Sequence, residues 1–460
     1  MQVSPILDVF ASFNSFLTPE TAGNLSVLLR GAILAPSART VTGCLTAAWP
    51  WATQHWTAYE NVLRRANIPM LAMARLLFAL ASRNLPKKAT IEFVIDESLV
   101  RRYGPYVVGV GMHRDAVRSS KSNLIVTPGH KWVVLALIVH FPLMRRHLAL
   151  PLLCGLYTTK KQAKRNQAPL YRRRHRTSNE IAILLLLWAT RWIKGRNFRV
   201  LGDGAYATHE LAALLSEGGR HPRLRQGRLV SRFRLDAPTY APPTPRRGKL
   251  GRPPIKGRRL KTPAECAEMN RGWKSARVDW YGSVQKGKKM LSRTGLWYKC
   301  GCQITPVRWV IVRDESKKPK DEVFFTTDLS LSPAAIIAAY VRRWSLETTF
   351  QEVREHLGLE TLRNRCHKAI ARGVPLLLSL YTLIVLAATR RPKSRALEPM
   401  GMPWYIKTNL TFSDLLTQQR RGLFQEMITE ASGSETGEFI LPGMGKWRGK
   451  LGSPPSRRAA

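Results

Sequence analysis

Acidic residues are scarce in this chain of 460 residues. It has 30 Asp and Glu against 74 Lys and Arg, so its formal net charge at pH 7 is +44. A charge excess of this size gives a large positive potential, which strongly favours polyanions as partners. We therefore expect a nucleic acid as the partner, rather than an anionic membrane surface. Because carboxylates are so few, one that follows an apolar strand stands out as a candidate for chemistry.

Cysteine is also sparse, with six residues spread along the chain. They suggest no disulfide framework, and we predict a cytoplasmic protein in a reducing compartment. Cys300 and Cys302 are too close together for a zinc knuckle, and no second pair completes a zinc site. The N-terminus has no secretion signal, and the longest apolar stretch, residues 374–388, is too short for a bilayer span. We expect that stretch to form a buried helix, and we expect no association with a membrane.

The chain divides by composition into five predicted parts. Residues 1–88 predict a helical N-terminal DNA-binding domain, for which a plain helical bundle is the alternative. Residues 89–220 predict strands followed by helices, the first part of a mixed α/β core. Residues 221–330 are predicted to form a basic, β-rich insertion domain. Residues 331–392 contain a long helix that completes the core, and residues 393–460 predict a helical and basic tail.

The basic segment 222–289 combines many prolines with many Arg and Lys residues, and it predicts an extended or partly disordered loop. Within it, Gly251, Arg252 and Pro253 resemble the centre of an AT-hook, which places an Arg in the narrow minor groove of DNA. Leu250 stands where that motif has its first Arg. A solvated basic linker is therefore an equally good interpretation, and Arg252 is a candidate DNA-binding residue.

Two aspartates follow short apolar runs that predict strands. Asp96 comes directly after residues 91–95, and Asp203 follows residues 198–201 between two glycines. A carboxylate at the carboxyl end of a strand lies at the rim of a sheet, where the sites of α/β folds form. The flanking glycines leave room for a metal ion or a phosphate. For each aspartate taken alone, the alternative is a turn former or a helix N-cap.

A helix predicted over residues 333–356 carries the third candidate carboxylate, Glu347. At about 100° per residue, Tyr340, Arg343, Glu347 and Arg354 lie on one polar stripe, beside an apolar stripe that would pack on a sheet. Taken alone, the polar stripe is better interpreted as a solvated face with salt bridges. Together with the two aspartates, however, this glutamate can converge on a pair of Mg²⁺ ions, for which Mn²⁺ can substitute. Phosphodiester cleavage uses that arrangement.

These residues resemble the signature of bacterial DDE transposases of the insertion sequence 4 type, above all the group around insertion sequence 701. That group marks its third acid by Tyr, two residues, Arg, three residues, Glu, six residues, and Lys or Arg. Tyr340, Arg343, Glu347 and Arg354 fill all four places.

Other parts of the chain, from about residue 90 to residue 388, share the resemblance. The second acid of the family precedes a small residue and an aromatic one, as Asp203 does here. The apolar run before Asp96 matches the first acid, and the start of the predicted strand around Lys131 is also similar.

The resemblance implies an RNase H-like core with a mostly β insertion domain before the glutamate helix. It implies that Asp96, Asp203 and Glu347 are the catalytic and metal-binding carboxylates and that Mg²⁺ is the cofactor. The expected reaction is cleavage at transposon ends, followed by joining of the 3′-hydroxyls to target DNA. The expected DNA-binding residues are Tyr340, Arg343, Arg354, Lys131 and Arg252.

The expected partners are the terminal inverted repeats and target DNA, bound by a homodimer on paired ends in the bacterial cytoplasm, at the nucleoid. Some relatives form a hairpin intermediate in which a Trp of the insertion domain stacks near a flipped base. Trp273, Trp280 and Trp297 are candidates for that role. The alternative function is that of a domesticated or inactive relative that binds DNA without cutting it. A nucleic-acid packaging protein would explain the charge but does not need the three carboxylates.

Overall fold

The computed structural model describes most of the chain. The described residues are 4–115, 118–120, 122–164, 175–244, 253–269, 271–280, 283–314, 321–390, 397, 399–401, 403–432, 439–441 and 445–447. Gly251 and Arg252 lie outside these residues, so the AT-hook and its contact with DNA stay a prediction.

The first part of the chain is helical. Its helices are α1 (Pro5–Ala11), α2 (Pro19–Leu34), α3 (Val41–Ala47), α4 (Trp56–Arg64) and α5 (Met70–Ser82). Thr18 and Thr40 begin α2 and α3 by accepting hydrogen bonds from the backbone N–H groups of Thr21 and Gly43. The helical pattern predicted over residues 1–88 agrees with these helices, and their binding to DNA stays a prediction.

A mixed sheet lies at the centre of the molecule. Its first six strands are β1 (Ile91–Arg101), β2 (Gly111–Arg114), β3 (Val126–Phe141), β4 (Arg146–Tyr157), β5 (Phe198–Gly202) and β6 (Gly227–Arg232). β3 pairs antiparallel with both β1 and β4, whereas β5 pairs in parallel with β1 and β6. The resulting order β4-β3-β1-β5-β6 is consistent with an RNase H-like core. The predicted mixed α/β fold class is confirmed.

In the part of the chain that the structure describes, the same sheet continues through five further strands. They are β7 (Thr239–Tyr240), β8 (Lys274–Trp280), β9 (Ser283–Trp297), β10 (Thr305–Asp314) and β11 (Asp321–Thr326). β11 joins them to the core by pairing antiparallel with β6. The five-part division stays a prediction, and β6, which lies within residues 221–330, extends the sheet of residues 89–220 through β5.

The prediction of an extended or partly disordered loop over residues 222–289 is wrong for much of its length, because β6, β7, β8 and the start of β9 lie there. Strand pairing accommodates the charge. Lys288 is buried, and its Nζ lies 3.1 Å from Oδ2 of Asp314, its register partner on β10. An opposite charge directly across the ladder offsets the cost of burying the lysine. Composition alone does not reveal such a partner.

Within the described residues, eight further helices cover the sheet or extend from it. They are α6 (Lys160–Lys164), α7 (Ser178–Ala189), α8 (His209–Leu214), α9 (Pro263–Glu268), α10 (Pro333–Arg342), α11 (Trp344–Leu357), α12 (His367–Thr389) and α13 (Phe412–Ser432). α7, α11 and α12 contact β4, and α12 also contacts α1, α4 and α5. A short hairpin, β12 (Phe439–Leu441) and β13 (Gly445–Trp447), follows α13.

Helix α12 is long and apolar enough to cross a membrane by length and composition, but 72% of its apolar window is buried inside the protein. Its contacts with β4 and with the N-terminal helices account for that burial. The buried helix predicted over residues 374–388 is thus confirmed.

Candidate active site

The parallel pairing of β1 with β5 brings the two predicted aspartates together. Its register aligns Ile95 with Gly202, so Asp96 and Asp203 follow side by side at the same edge. Asp96 is not at the end of its strand, and that prediction is wrong. β1 continues to Arg101 because its antiparallel pairing with β3 extends that far. What ends at Ile95 is the pairing with the shorter β5, and this opens the sheet beside Asp96.

Asp203 is fixed by the turn that follows β5. Its Oδ1 accepts a hydrogen bond of 2.9 Å from the backbone N–H of Ala205, and its carbonyl oxygen accepts one of 2.6 Å from the hydroxyl of Ser231. Gly202 is required here, since an added Cβ would lie 2.9 Å from the Cβ of Tyr206. Asp203 therefore does act as a cap, as the alternative interpretation held. The cap also orients its carboxylate beside Asp96.

The helix predicted over residues 333–356 is in fact two helices, α10 and α11, which are divided at Arg343. The backbone N–H of Arg343 donates to the carbonyl of Tyr340, three residues back, at 3.0 Å, a tighter turn than that of an α-helix. Periodicity does not detect this break because both halves are good helix formers. The predicted apolar stripe of α11 is buried, and it consists of Leu346, Phe350, Val353 and Leu357.

The guanidinium of Arg343 joins two of the three predicted carboxylates. Its Nη1 lies 2.9 Å from Oδ2 of Asp96 and 2.6 Å from Oε1 of Glu347. The Arg343 side chain is only 9% exposed. Asp203 completes the group, because its charge acts on Asp96 and the charge of Arg343 acts on Asp203. The structure thus gathers Asp96, Asp203 and Glu347 around one buried cation.

Burial dominates the electrostatics of this group. It raises the pKa of Asp96 to about 7; Arg343 works against that rise, and Asp203 and Glu347 add to it. Burial also raises the pKa of Asp203. Burial alone would lower the pKa of Arg343, but the interactions with its neighbours outweigh this and raise it. The carboxylates therefore strongly favour a nearby positive charge.

The donor atoms suit a hard divalent cation, since carboxylate oxygens select Mg²⁺ or Mn²⁺. Within the described part of the chain, no three His, Cys, Asp or Glu side chains are grouped so that they could share one metal ion as they are placed. Asp96 and Glu347 share the Arg343 guanidinium instead. A metal ion at these oxygens would have to replace that contact.

Four of the five predicted DNA-binding residues, including Arg343, have protein partners. Tyr340 is buried, and its ring centroid lies 4.3 Å from that of Phe324. Lys131 forms an ion pair with Glu97, and its Nζ lies 5.0 Å from the ring centroid of Tyr157. Contact of either residue with DNA stays a prediction.

Arg354 connects α11 to β1. Its Nη2 donates to the hydroxyl of Ser98 at 2.5 Å and to the carbonyl of Leu99 at 3.4 Å. Its Nε lies 3.5 Å from a carboxylate oxygen of Glu360, which also pairs with Arg101. These contacts hold the helix of Glu347 against the strand of Asp96. Arg354 thus has a structural role, and its contact with a DNA phosphate stays a prediction.

We predict that Arg354→Gln lowers stability more than it lowers DNA affinity. Loss of its contacts to Ser98 and Glu360 should cost about 1–3 kcal/mol, because it leaves polar groups without partners. Thermal denaturation and a DNA titration at two salt concentrations measure the two effects. Arg64→Gln, in which an exposed pair with Glu60 is lost, is the control and should change neither. Unchanged stability with weaker, less salt-dependent binding would instead support a phosphate contact.

Two residues beside the site were not singled out from the sequence. Glu97 follows Asp96. Burial raises the pKa of Asp203, and the charge of Glu97 raises it further, whereas the hydrogen bond from the backbone of Ala205 and the charge of Arg343 lower it. Successive residues of a strand point to opposite faces, so the pattern gave no reason to choose Glu97. Trp344 begins α11 one turn before Glu347 and is 48% exposed. Its closeness to Glu347 could have been noticed from the spacing, but its exposure could not.

The three tryptophans considered for base stacking differ in their surroundings. Trp297 is buried, with its ring centroid 3.9 Å from that of His209. Trp273 is half-buried, and the guanidinium of Arg313 lies 4.4 Å from its ring centroid. The side chain of Trp280 lies outside the described residues. Stacking on a base by any of them stays a prediction.

Comparison with known families agrees with this geometry. A model of the family described as DDE superfamily endonuclease matches residues 11–287, more than half of the chain. The match includes Asp96 and Asp203 and ends before Glu347. Nuclease domains of this type generally use divalent metals. No curated protein matches the chain. The chain belongs to the DDE superfamily endonucleases, and it is a transposase-like nuclease whose substrate is DNA.

Proposed function

We propose that the protein is a transposase of the insertion sequence 4 type, close to the insertion sequence 701 group. It cuts DNA at transposon ends and joins the freed 3′-hydroxyls to target DNA. The observation that supports this most is the meeting of Asp96, Asp203 and Glu347 at the end of the β1–β5 pairing. Three carboxylates from two strands and a helix are the donor set that metal-assisted phosphoryl transfer uses.

In this proposal Asp96, Asp203 and Glu347 are the ligands of two Mg²⁺ ions, which Mn²⁺ can replace. When bound, the ions activate the attacking water or 3′-hydroxyl and stabilise the leaving oxygen. The protein supplies a partly buried set of carboxylate oxygens whose mutual repulsion favours a bound cation. The net charge of +44 attracts DNA, and Lys and Arg side chains hold its phosphates.

The helix of Glu347 is fixed from behind, which supports its role as a ligand. The hydroxyl of Thr349 donates to the carbonyl of Ala149 on β4 at 2.9 Å. Glu352 accepts hydrogen bonds of 2.7 Å from Arg146 and 2.9 Å from the hydroxyl of Tyr381. Such contacts hold a functional carboxylate in one geometry before the substrate arrives.

The assembly and location belong to the same proposal. We expect a homodimer that holds two transposon ends at once, because the two ends must be cut and joined together. We expect the protein to act in the bacterial cytoplasm at the nucleoid. Both expectations rest on the family resemblance of the signature that includes Tyr340, Arg343, Glu347 and Arg354.

Cleavage of DNA that carries the element's own ends tests the proposal. The wild type should nick this DNA with Mg²⁺ and not with EDTA, as seen on a denaturing gel. Glu347→Gln should bind the DNA in a gel-shift assay without cutting it. Glu355→Gln is the matched control, since this glutamate is exposed on the same helix and bonds to Gln351; it should cut normally.

Three outcomes would contradict the proposal or favour its alternative. Cutting by Glu347→Gln would contradict its role as a ligand, and cutting in EDTA would contradict metal-assisted chemistry. Tight binding without cutting by the wild type would favour an inactive relative that only binds DNA.

A further inference from the structure

One nitrogen of Arg343 serves two carboxylates of the site. Nη1 lies 2.9 Å from Asp96 and 2.6 Å from Glu347, so both oxygens face the same point. Mg²⁺ binds carboxylate oxygens at about 2.0–2.1 Å. A metal ion that used these two oxygens would therefore occupy the space of the guanidinium, and the two cations cannot be bound there together.

Electrostatics make the two cations competitors as well. The side chains of Arg343 and Asp96 are 9% and 15% exposed, so water and salt screen their charges weakly. A divalent ion beside an unmoved guanidinium would meet strong repulsion. Without the guanidinium or a metal, however, Asp96, Asp203 and Glu347 would repel one another. One cation must leave as the other arrives.

The position of Arg343 in the chain permits such an exchange. It lies at the turn between α10 and α11, and its guanidinium can leave the carboxylates by rotation about its side-chain bonds alone. Its Nε is buried and, among the described residues, has no hydrogen-bond partner. A DNA phosphate could accept hydrogen bonds from Nε and from an Nη together, the two-pronged contact that guanidinium groups favour.

We propose that Arg343 is a resident counter-ion of the catalytic carboxylates and that bound DNA draws it onto a phosphate, which frees the carboxylates for the metal. This inference rests on the proposed function and adds its regulation. DNA and metal must then bind cooperatively, since each favours the state in which Arg343 has left Asp96 and Glu347. Without DNA, the metal site is held closed by the protein's own cation.

Mn²⁺ binding tests this, measured by the electron paramagnetic resonance of free Mn²⁺, with and without a short DNA duplex, after subtraction of Mn²⁺ bound by the duplex alone. For the wild type, the duplex should raise Mn²⁺ affinity about tenfold or more. Arg343→Gln should bind Mn²⁺ about tenfold more tightly than the wild type without DNA. For that variant the duplex should add little.

Arg342→Gln is the matched control. It removes the same charge one residue away, but its guanidinium pairs with Glu92 at 2.7 Å rather than with the site. The control should keep the cooperativity of the wild type. The inference is wrong if Arg343→Gln binds Mn²⁺ no more tightly than the wild type in the absence of DNA. It is also wrong if DNA raises the Mn²⁺ affinity of the wild type and of Arg343→Gln by the same factor.

A measurement on the wild type alone covers the case in which Arg343→Gln does not fold. Mn²⁺ and the duplex should together raise the melting temperature by more than the sum of their separate effects; a purely additive rise overturns the inference. If DNA cleavage requires Glu347 but the rise in melting temperature is additive, only the role of Arg343 is overturned. If DNA cleavage does not require Glu347, the proposed function itself is overturned.

Discussion

Asp203→Ala is expected to lower DNA cleavage by on the order of a thousandfold or more while DNA affinity stays within a few-fold of that of the wild type. Asp203 lies beside Asp96 in the β1–β5 register, and its backbone and carboxylate are both fixed by the following turn. A short apolar side chain there removes one ligand oxygen donor from the proposed metal site. Phosphate contacts, which supply most of the affinity for DNA, are left in place.

Single-turnover cleavage with saturating Mg²⁺ and a gel shift with Ca²⁺ measure the two quantities separately. Asp236→Ala is the control, because that aspartate is 68% exposed and pairs with the exposed Arg234; it should cut at the wild-type rate. Asp203→Asn should keep the cap to Ala205 and still fail to cut, which separates loss of the ligand from loss of the turn. Normal cutting by Asp203→Asn would remove Asp203 from the proposed site.

The sequence predicted the fold class well because the core strands are marked by apolar, β-branched residues. The run before Asp96, the run before Asp203 and the apolar stripe of α11 all became buried elements. The placement of Asp96 and Asp203 after apolar runs also predicted their position at the rim of the sheet, although β1 itself continues to Arg101. These features depend on local pattern, which a single sequence carries.

The remaining features depend on partners that are distant in the chain. β1 passes through Asp96 because β3 is long enough to pair with it as far as Arg101. The helix break falls at Arg343, whose side chain contacts a carboxylate on β1 as well as Glu347. The basic segment forms strands because cross-strand pairing, as between Lys288 and Asp314, accommodates its charge. None of these partners can be identified from periodicity.

Asp96→Asn is expected to stabilise the metal-free protein at about pH 8 and to do so much less at about pH 5. The pKa of Asp96 is about 7 in the folded protein, against about 3.9 for an unperturbed aspartate. The folded state therefore holds this proton more tightly than the unfolded state does. Stability contributed by the protonated form is complete below about pH 4 and is lost as the pH rises to about 7.

A shift of this size corresponds to about 4 kcal/mol at most, an order-of-magnitude figure because Asp96 titrates together with its neighbours. Asn resembles the protonated acid and has no charge to lose, so the gain of the variant should appear as the pH passes from about 5 to 8. Thermal denaturation in EDTA at both pH values measures it. Asp236→Asn, at an exposed aspartate, should show no comparable gain.

The sign of this effect separates a functional carboxylate from a structural one. Replacing a carboxylate that serves stability would destabilise the protein. Ionised Asp96, in contrast, destabilises the metal-free fold, because it is buried next to Asp203 and Glu347. With a DNA duplex present, Mg²⁺ should therefore raise the melting temperature of the wild type at about pH 8 and that of Asp96→Asn much less, because the variant lacks the charge that the metal neutralises. If Asp96→Asn is less stable than the wild type at both pH values, the pair with Arg343 outweighs the repulsion. Asp96 would then contribute mainly to the stability of the fold rather than to metal binding.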